Sequence, residues 1–334
     1  MRKIFTLIII INSIVLISEI KAQGWFSQTS GTKAILTGVC FIDVNTGFIA
    51  GKFGTLLKTT NGGDVWEKLD YSAKDSLESL VFVDANTGFV VGISTSCEGI
   101  ILRTTDAGTT WDKYISGAND KLVSMHFIGP QKGYVVGTDP LKKKGFFLTT
   151  TDGGISWIRD NFVNNEPPLS VFFVNENTGY MICYNYELHN SFLARTLDGG
   201  KNWSQYNDQD VTFFNLYFID ADNGYAVGMT ARTRNEFYGA IVKTTNGGSA
   251  WNLQLYGSNT LLSSVYFPEP ETGYAVGTSP SGGKIYKTKD AGVIWKNQVC
   301  FTNSALRSVY FINPTTGFAV GGDGTILKTT TGGE

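Results

Sequence analysis

All seven tryptophans of this 334-residue chain, Trp25, Trp66, Trp111, Trp157, Trp203, Trp251 and Trp295, stand 41 to 48 residues apart. The last six each close a T-x-[D/N]-x-G-x-x-W box. A motif returning at that period means one supersecondary unit copied along the chain, which is the signature of a solenoid or a propeller. Length alone, at roughly 100–200 residues per domain, suggests two domains, and the repeat overrides that prior.

One copy shows the unit. Leu36–Phe41 reads as a strand, Asp43-Val-Asn45-Thr-Gly47 as a turn, Phe48–Gly51 as a second strand and Leu56–Thr59 as a third. The box Thr59–Trp66 then turns the chain into a fourth run at Glu67–Leu69. Four short β-runs separated by Gly, Asn and Asp turns cannot bury both faces alone, so copies must pack against one another around an axis. The 39 glycines, 13% aromatic and 17% charged residues suit strands and tight turns better than helices.

The joints are regular. From each tryptophan to the phenylalanine of the next first strand the step is 16 residues, or 15 into Phe218, and from that phenylalanine to the turn glycine it is always 6. Only the connection from the second strand to the box threonine varies, from 8 to 16 residues. Turns alternate between the two ends of an up-and-down blade, so these variable loops share one face and the boxes the other. Cys183 replaces the glycine that ends the other second strands, which predicts a different turn in the fourth blade. The seventh copy stops at Glu334 without its tryptophan, whereas Trp25 has no box before it. Residues 24–28 therefore read as the outer strand of the last blade, closing an all-β, seven-bladed propeller. An open solenoid would leave Trp25 without a role.

Residues 1–22 differ from the rest: Arg2 and Lys3 precede an apolar run from Ile4 to Ile17 and a small-residue end at Ala22. This is the layout of a secretory signal peptide, and it leaves residues 23–334 as the propeller. An uncleaved anchor is the alternative, although the run is short of the ~20 residues a span needs. Cleavage removes three of the 27 basic and one of the 29 acidic residues, for a formal charge of −4. That balance argues against nucleic acid as a partner, and no membrane span is expected once the signal is gone. Export permits disulfides, yet Cys40, Cys97, Cys183 and Cys300 fall at four different points of four repeats, so buried thiols are expected more than bridges.

The boxes at Thr59, Thr104, Thr150, Thr196, Thr244 and Thr288 resemble Asp-box, or BNR, repeats. With the intervening N-T-G-[F/Y]-x-V-G pattern, the mature chain resembles the photosystem II stability and assembly factor family of Asp-box propellers. Related boxes occur in sialidases, sortilin-type receptor propellers and xyloglucan hydrolases, so the resemblance implies a fold more than an activity. Within each box, Asn61, Asp106, Asp152, Asp198, Asn246 and Asp290 are expected to accept hydrogen bonds from the turn's own backbone. The following glycines take positive φ, and the tryptophan packs between sheets. Thr331 at this position in the last copy predicts a weaker turn.

Catalytic and metal signatures are sparse. His126 and His189 are the only histidines, and no His/Cys/Asp spacing suggests a metal site or calls for a cofactor. Basic residues recur just before the boxes (Lys58, Arg103, Arg195, Lys243, Lys287, Lys328), marking a strand position more than a sialidase arginine cluster. The best functional candidates sit on the variable loops of blades 3 to 5: Lys142, Lys143 and Lys144; Tyr184, Tyr186 and Glu187; Arg232, Arg234, Phe237 and Tyr238. Aromatic and basic residues together suit an acidic protein segment. The expected function is an exported, non-catalytic, monomeric scaffold for a protein partner, such as an assembly or stability factor for a membrane or cell-surface complex. The alternative is a propeller that binds or hydrolyses glycans through carboxylates such as Asp139, Glu187 and Glu236.

Overall fold

The computed structural model describes residues 24–71, 73–161, 166–206, 211–233 and 236–334, without side chains at 161, 231–233, 236, 237, 256 and 258. The expected signal peptide lies outside the described residues. Seven four-stranded antiparallel sheets are present, each with strands in chain order from the centre outward, except the last. Blade 1 comprises Leu36–Phe41, Gly47–Gly51, Leu56–Thr59 and Glu67–Lys68. Its innermost strand packs beside Ser76–Phe82 of blade 2, and the contacts continue around to Leu306–Phe311 of blade 7, which returns to Leu36–Phe41. The ring is closed.

Closure uses the N-terminal segment. Phe26–Gln28 is the outer strand of blade 7, pairing Phe26 with Lys328, Ser27 with Leu327 and Gln28 with Ile326. The Gly24 N–H donates to the Glu334 carbonyl at 2.8 Å. Trp25, only 4% exposed, meets Phe311 and Tyr274 edge-on, with ring centroids 5.7 and 6.3 Å away. The apolar core is divided among the joints: seven buried clusters among the described residues each draw on adjoining blades, as where Phe89 and Val91 of blade 2 pack with Phe127 and Trp157 of blade 3.

The constant six-residue step from Phe41 to Gly47 has a steric cause. A Cβ on Gly47 would lie 2.5 Å from the Phe41 ring, and the glycine of every other blade faces its own phenylalanine in the same way. Cys183 does not make blade 4 turn differently, contrary to expectation. It pairs with Pro168 across the same one-residue irregularity that Gly51 shows opposite Leu36. All four cysteines are free; Cys40 and Cys183 are buried, but Cys97 is exposed at a turn tip with φ of 60°.

Candidate functional site

The two faces of the disc are built differently. On the box face, each box turn bonds back to the first turn of its own blade, as from Gly62 N–H to Asn45 carbonyl at 2.8 Å and from Gly332 N–H to Thr315 carbonyl at 2.7 Å. Within a box the acid is bound locally. The Thr150 hydroxyl donates to Asp152 Oδ1 at 2.7 Å and the Ser156 N–H does so at 3.0 Å. These bonds hold the Asp152 carboxyl well below the usual range, the Ser156 hydroxyl contributing most, and hold Asp106 and Asp198 at about 2. Their acceptor capacity goes into the turn, so they are framework. Positive φ follows at both of the next positions, including Ala107 and Ala291, where no glycine stands. Thr331 keeps the turn with less: its N–H lies 3.2 Å from the Thr329 hydroxyl and its own hydroxyl donates to Glu334.

The six basic residues before the boxes are inter-blade ties. Lys58 Nζ donates to the Ala107 carbonyl at 2.7 Å, Arg103 Nε to Gly153 at 2.9 Å and Lys243 Nζ to Ala291 at 2.8 Å. Arg195 reaches Ser249, Lys287 reaches Gly332 and Lys328 reaches Asp64 in the same sense. Toward the central shaft, side chains of one innermost strand cover the open edge of the next. His126 Nδ1 accepts from the Phe173 N–H at 3.2 Å, Tyr217 donates to the Phe267 carbonyl and Tyr310 to the Phe41 carbonyl. His126 stacks on Phe172 with centroids 4.1 Å apart, and burial lowers its pKa to about 4. It is a structural residue, as its place among Cys40, Val81, Phe172, Tyr217, Tyr266 and Tyr310 suggests.

The variable loops lie on the opposite face, where they bond to the linkers between blades, as from Tyr184 N–H to the Pro167 carbonyl. In blades 3 and 4 the two hairpins are built alike. Asp139 Oδ1 accepts from the N–H groups of Leu141 and Lys142, and Asn185 Oδ1 from those of Glu187 and Leu188. Each hairpin then closes through a residue at φ of 55°, Lys143 or His189. The Asx side chain supplies the turn that these four-residue tips need.

This geometry brings several candidate residues together. Lys143 Nζ stands 5.1 Å from the Tyr186 ring centroid across the blade 3–4 joint, and Tyr184 meets Tyr186 edge-on at 5.3 Å. Lys142 instead pairs with Asp139 at 2.9 Å in its own hairpin, and Lys144 sits exposed where Lys144–Thr150 begins. Glu187 stands in the blade 4 tip, and the Glu166 backbone runs past Gly145 of the blade 3 hairpin; burial, and then the charge of Glu187, raise the Glu166 carboxyl above its usual range. Tyr238 pairs with Thr230 in the long hairpin of blade 5 and is half-buried. Arg234 and the side chains of Arg232, Glu236 and Phe237 lie outside the described residues. Leu141 and Leu188, 77% and 68% exposed at the two adjacent tips, were not singled out by the sequence reading. A leucine within a loop carries no signal until the loop is known to point outward. Among the described residues no helix is long and apolar enough to cross a membrane, and no group of three or more His, Cys, Asp and Glu could hold a metal ion.

A closed seven-bladed ring with Asp-box turns on one face and variable hairpins on the other defines an Asp-box propeller. The sequence model of the family described as photosynthesis system II assembly factor YCF48 matches residues 17–118 and 116–260, well over half of the chain. The chain belongs to that family. Among solved structures it is similar to YCF48 from Cyanidioschyzon merolae, at 20% identity over 92% of this chain and 98% of that one, with a TM-score of 0.69. It is equally similar to YCF48 bound to D1 peptide, at 19% identity over 93% and 98% with a TM-score of 0.69. The GH74 enzyme of Niastella koreensis matches at 13% identity over 91% of this chain but 53% of the enzyme, with a TM-score of 0.68. At these identities the structural likeness is one of fold. No curated protein matches the chain significantly.

Proposed function

We propose that this chain is an exported, non-catalytic scaffold that docks a segment of a partner protein on its long-loop face, as an assembly or stability factor for a membrane or cell-surface complex. The observation that carries the reading is the patch across blades 3 and 4, where Lys143 lies over Tyr186 and Leu141 and Leu188 are exposed at the neighbouring tips. A rigid hairpin pair that shows aromatic, basic and apolar groups side by side suits protein recognition. Membership of the family and the peptide-bound relative support the same reading. Export after cleavage at Ala22 is part of the proposal, and N-terminal sequencing of the secreted chain tests it.

Replacing Tyr184, Tyr186, Arg232 and Arg234 together with alanine is expected to abolish capture of the partner in a pull-down while leaving the fold intact. Undiminished capture would move the site elsewhere. The carboxylates of Glu166 and Glu187 on the long-loop face, the first raised by burial and then by the charge of the second, motivate the second reading, glycan hydrolysis. Release of sugar from a glycan panel, lost in Glu187→Gln, would establish that reading instead.

A further inference from the structure

The seven joints of the ring serve as controls for one another, and the joint between blades 3 and 4 departs from the other six on the box face. Six third strands place Lys or Arg just before the box threonine and tie it to the next blade, but here the residue is Thr149. The position after the second box glycine holds Asp64, Ser249 or Glu334 as the acceptor at three joints, yet it is Lys201 in blade 4. The residue before the first-turn glycine is Thr or Asn in six blades and Lys132 in blade 3. Three residues after the tryptophan, the other blades have Leu, Tyr or Gln, and blade 3 has Asp160.

These four changes meet in one place. Lys132, Thr149, Asp160 and Lys201 all line a single groove of about 470 Å³, compared with about 170 Å³ at the blade 4–5 joint and about 180 Å³ at the blade 6–7 joint. Loss of the long cationic side chain opens the groove, and the positive charge it carried reappears on two lysines at the rim. Lys132 pairs with Glu176 at 3.2 Å, an acid whose side chain is 75% exposed, and its Nζ also stands 6.0 Å from the Tyr134 ring centroid; so open an ion pair is held weakly. The wall is aromatic. Trp203 and Phe147 meet edge-on at 6.4 Å, and Trp203 is less buried than the box tryptophans of blades 1, 3, 5 and 6. Its indole N–H donates to the Gly200 carbonyl at 2.9 Å, so the ring presents its apolar surface to the groove.

We propose that this groove binds an acidic sugar residue. The C–H face of the sugar stacks on Trp203, its carboxylate lies between Lys132 and Lys201, and its hydroxyls bond to Thr149, Thr151 and Asp160. Two ammonium groups select the carboxylate, and Asp160 selects a ligand that also carries hydrogen-bond donors, which a simple anion lacks. The site is on the opposite face from the proposed protein-docking patch, so either can fail without the other.

Titration of the full chain with galacturonate, followed by the amide resonances of Gly199 and Gly200, tests the proposal. Saturable shifts are expected, and Lys201→Glu should weaken binding by about tenfold or more, the effect of losing one charge-assisted hydrogen bond. Thr149→Lys, which restores the side chain present at other joints, should fill the groove and abolish the shifts while the melting temperature holds or rises. The proposal is overturned if galacturonate gives no saturable shift, or if glucose or sulfate binds as well. Persistence of binding in Thr149→Lys also overturns it, and tighter binding of N-acetylphenylalaninate would replace the sugar with a peptide carboxylate.

Discussion

Removing one indole at the start of the described chain should weaken the whole ring. Trp25 is 4% exposed and packs against Phe311 and Tyr274, in a core shared with Leu306, Val309 and Leu327 of the last blade. Truncating a buried tryptophan to alanine costs about 3–5 kcal/mol. Against a total stability of about 5–15 kcal/mol, that loss is large. Trp157 is the internal reference, because it is 9% exposed, occupies the equivalent place in blade 3 and has chain on both sides. If Phe26–Gln28 closes the ring, Trp25→Ala and Trp157→Ala should lower the urea midpoint by similar amounts, with the slope unchanged. A frayed terminal segment predicts something else: Trp25→Ala would stay within about 0.5 kcal/mol of the parent, as surface substitutions do. That result, alongside a large effect of Trp157→Ala, would refute the closure argument.

Further predictions follow from single residues. Ala107→Gly and Ala291→Gly relieve positive φ in two boxes and should each raise stability by about 0.5–1 kcal/mol in denaturant titrations, where a Gly in a helical or extended site would lower it. Gly47→Ala drives a methyl into the Phe41 ring and should cost about 1–3 kcal/mol by the same assay. His126 is neutral when folded, with its pKa lowered by burial from 6.5 to about 4. Its contribution is therefore constant above pH 6.5 and falls as pH drops from 6.5 toward 4, by up to about 3 kcal/mol. Protonation would also place a hydrogen on Nδ1, where the Phe173 N–H now donates. His126→Phe, which restores the residue type of Phe172, should flatten that part of the stability–pH curve.

Blade number and closure were legible in the sequence because both depend on local spacing. The step from Phe41 to Gly47 is a contact between side chain and backbone, and the box is a turn closed by its own threonine and acid, so their residue types recur wherever the geometry does. Residues that meet across a joint left a weaker trace. Lys143 reaches Tyr186 from another blade, and no spacing rule links them. Leu141 and Leu188 were invisible for a different reason: a leucine in a loop packs inward or projects outward according to the direction of its hairpin, and these two project outward. The expectation for Cys183 fails because the glycine that ends the other second strands is not a turn requirement: blade 4 keeps the same register with a side chain there. Thr149, Lys132, Lys201 and Asp160 were each readable as departures from the repeat, but their shared groove was not.

The claim that function resides on the long-loop face is tested most directly by hydrogen exchange of the chain alone and with its captured partner. The account predicts new protection in the hairpins at 139–144 and 184–190, with the box turns at 59–66 and 288–295 unchanged. Protection confined to the box turns, with those two hairpins exchanging as in the free chain, would contradict it.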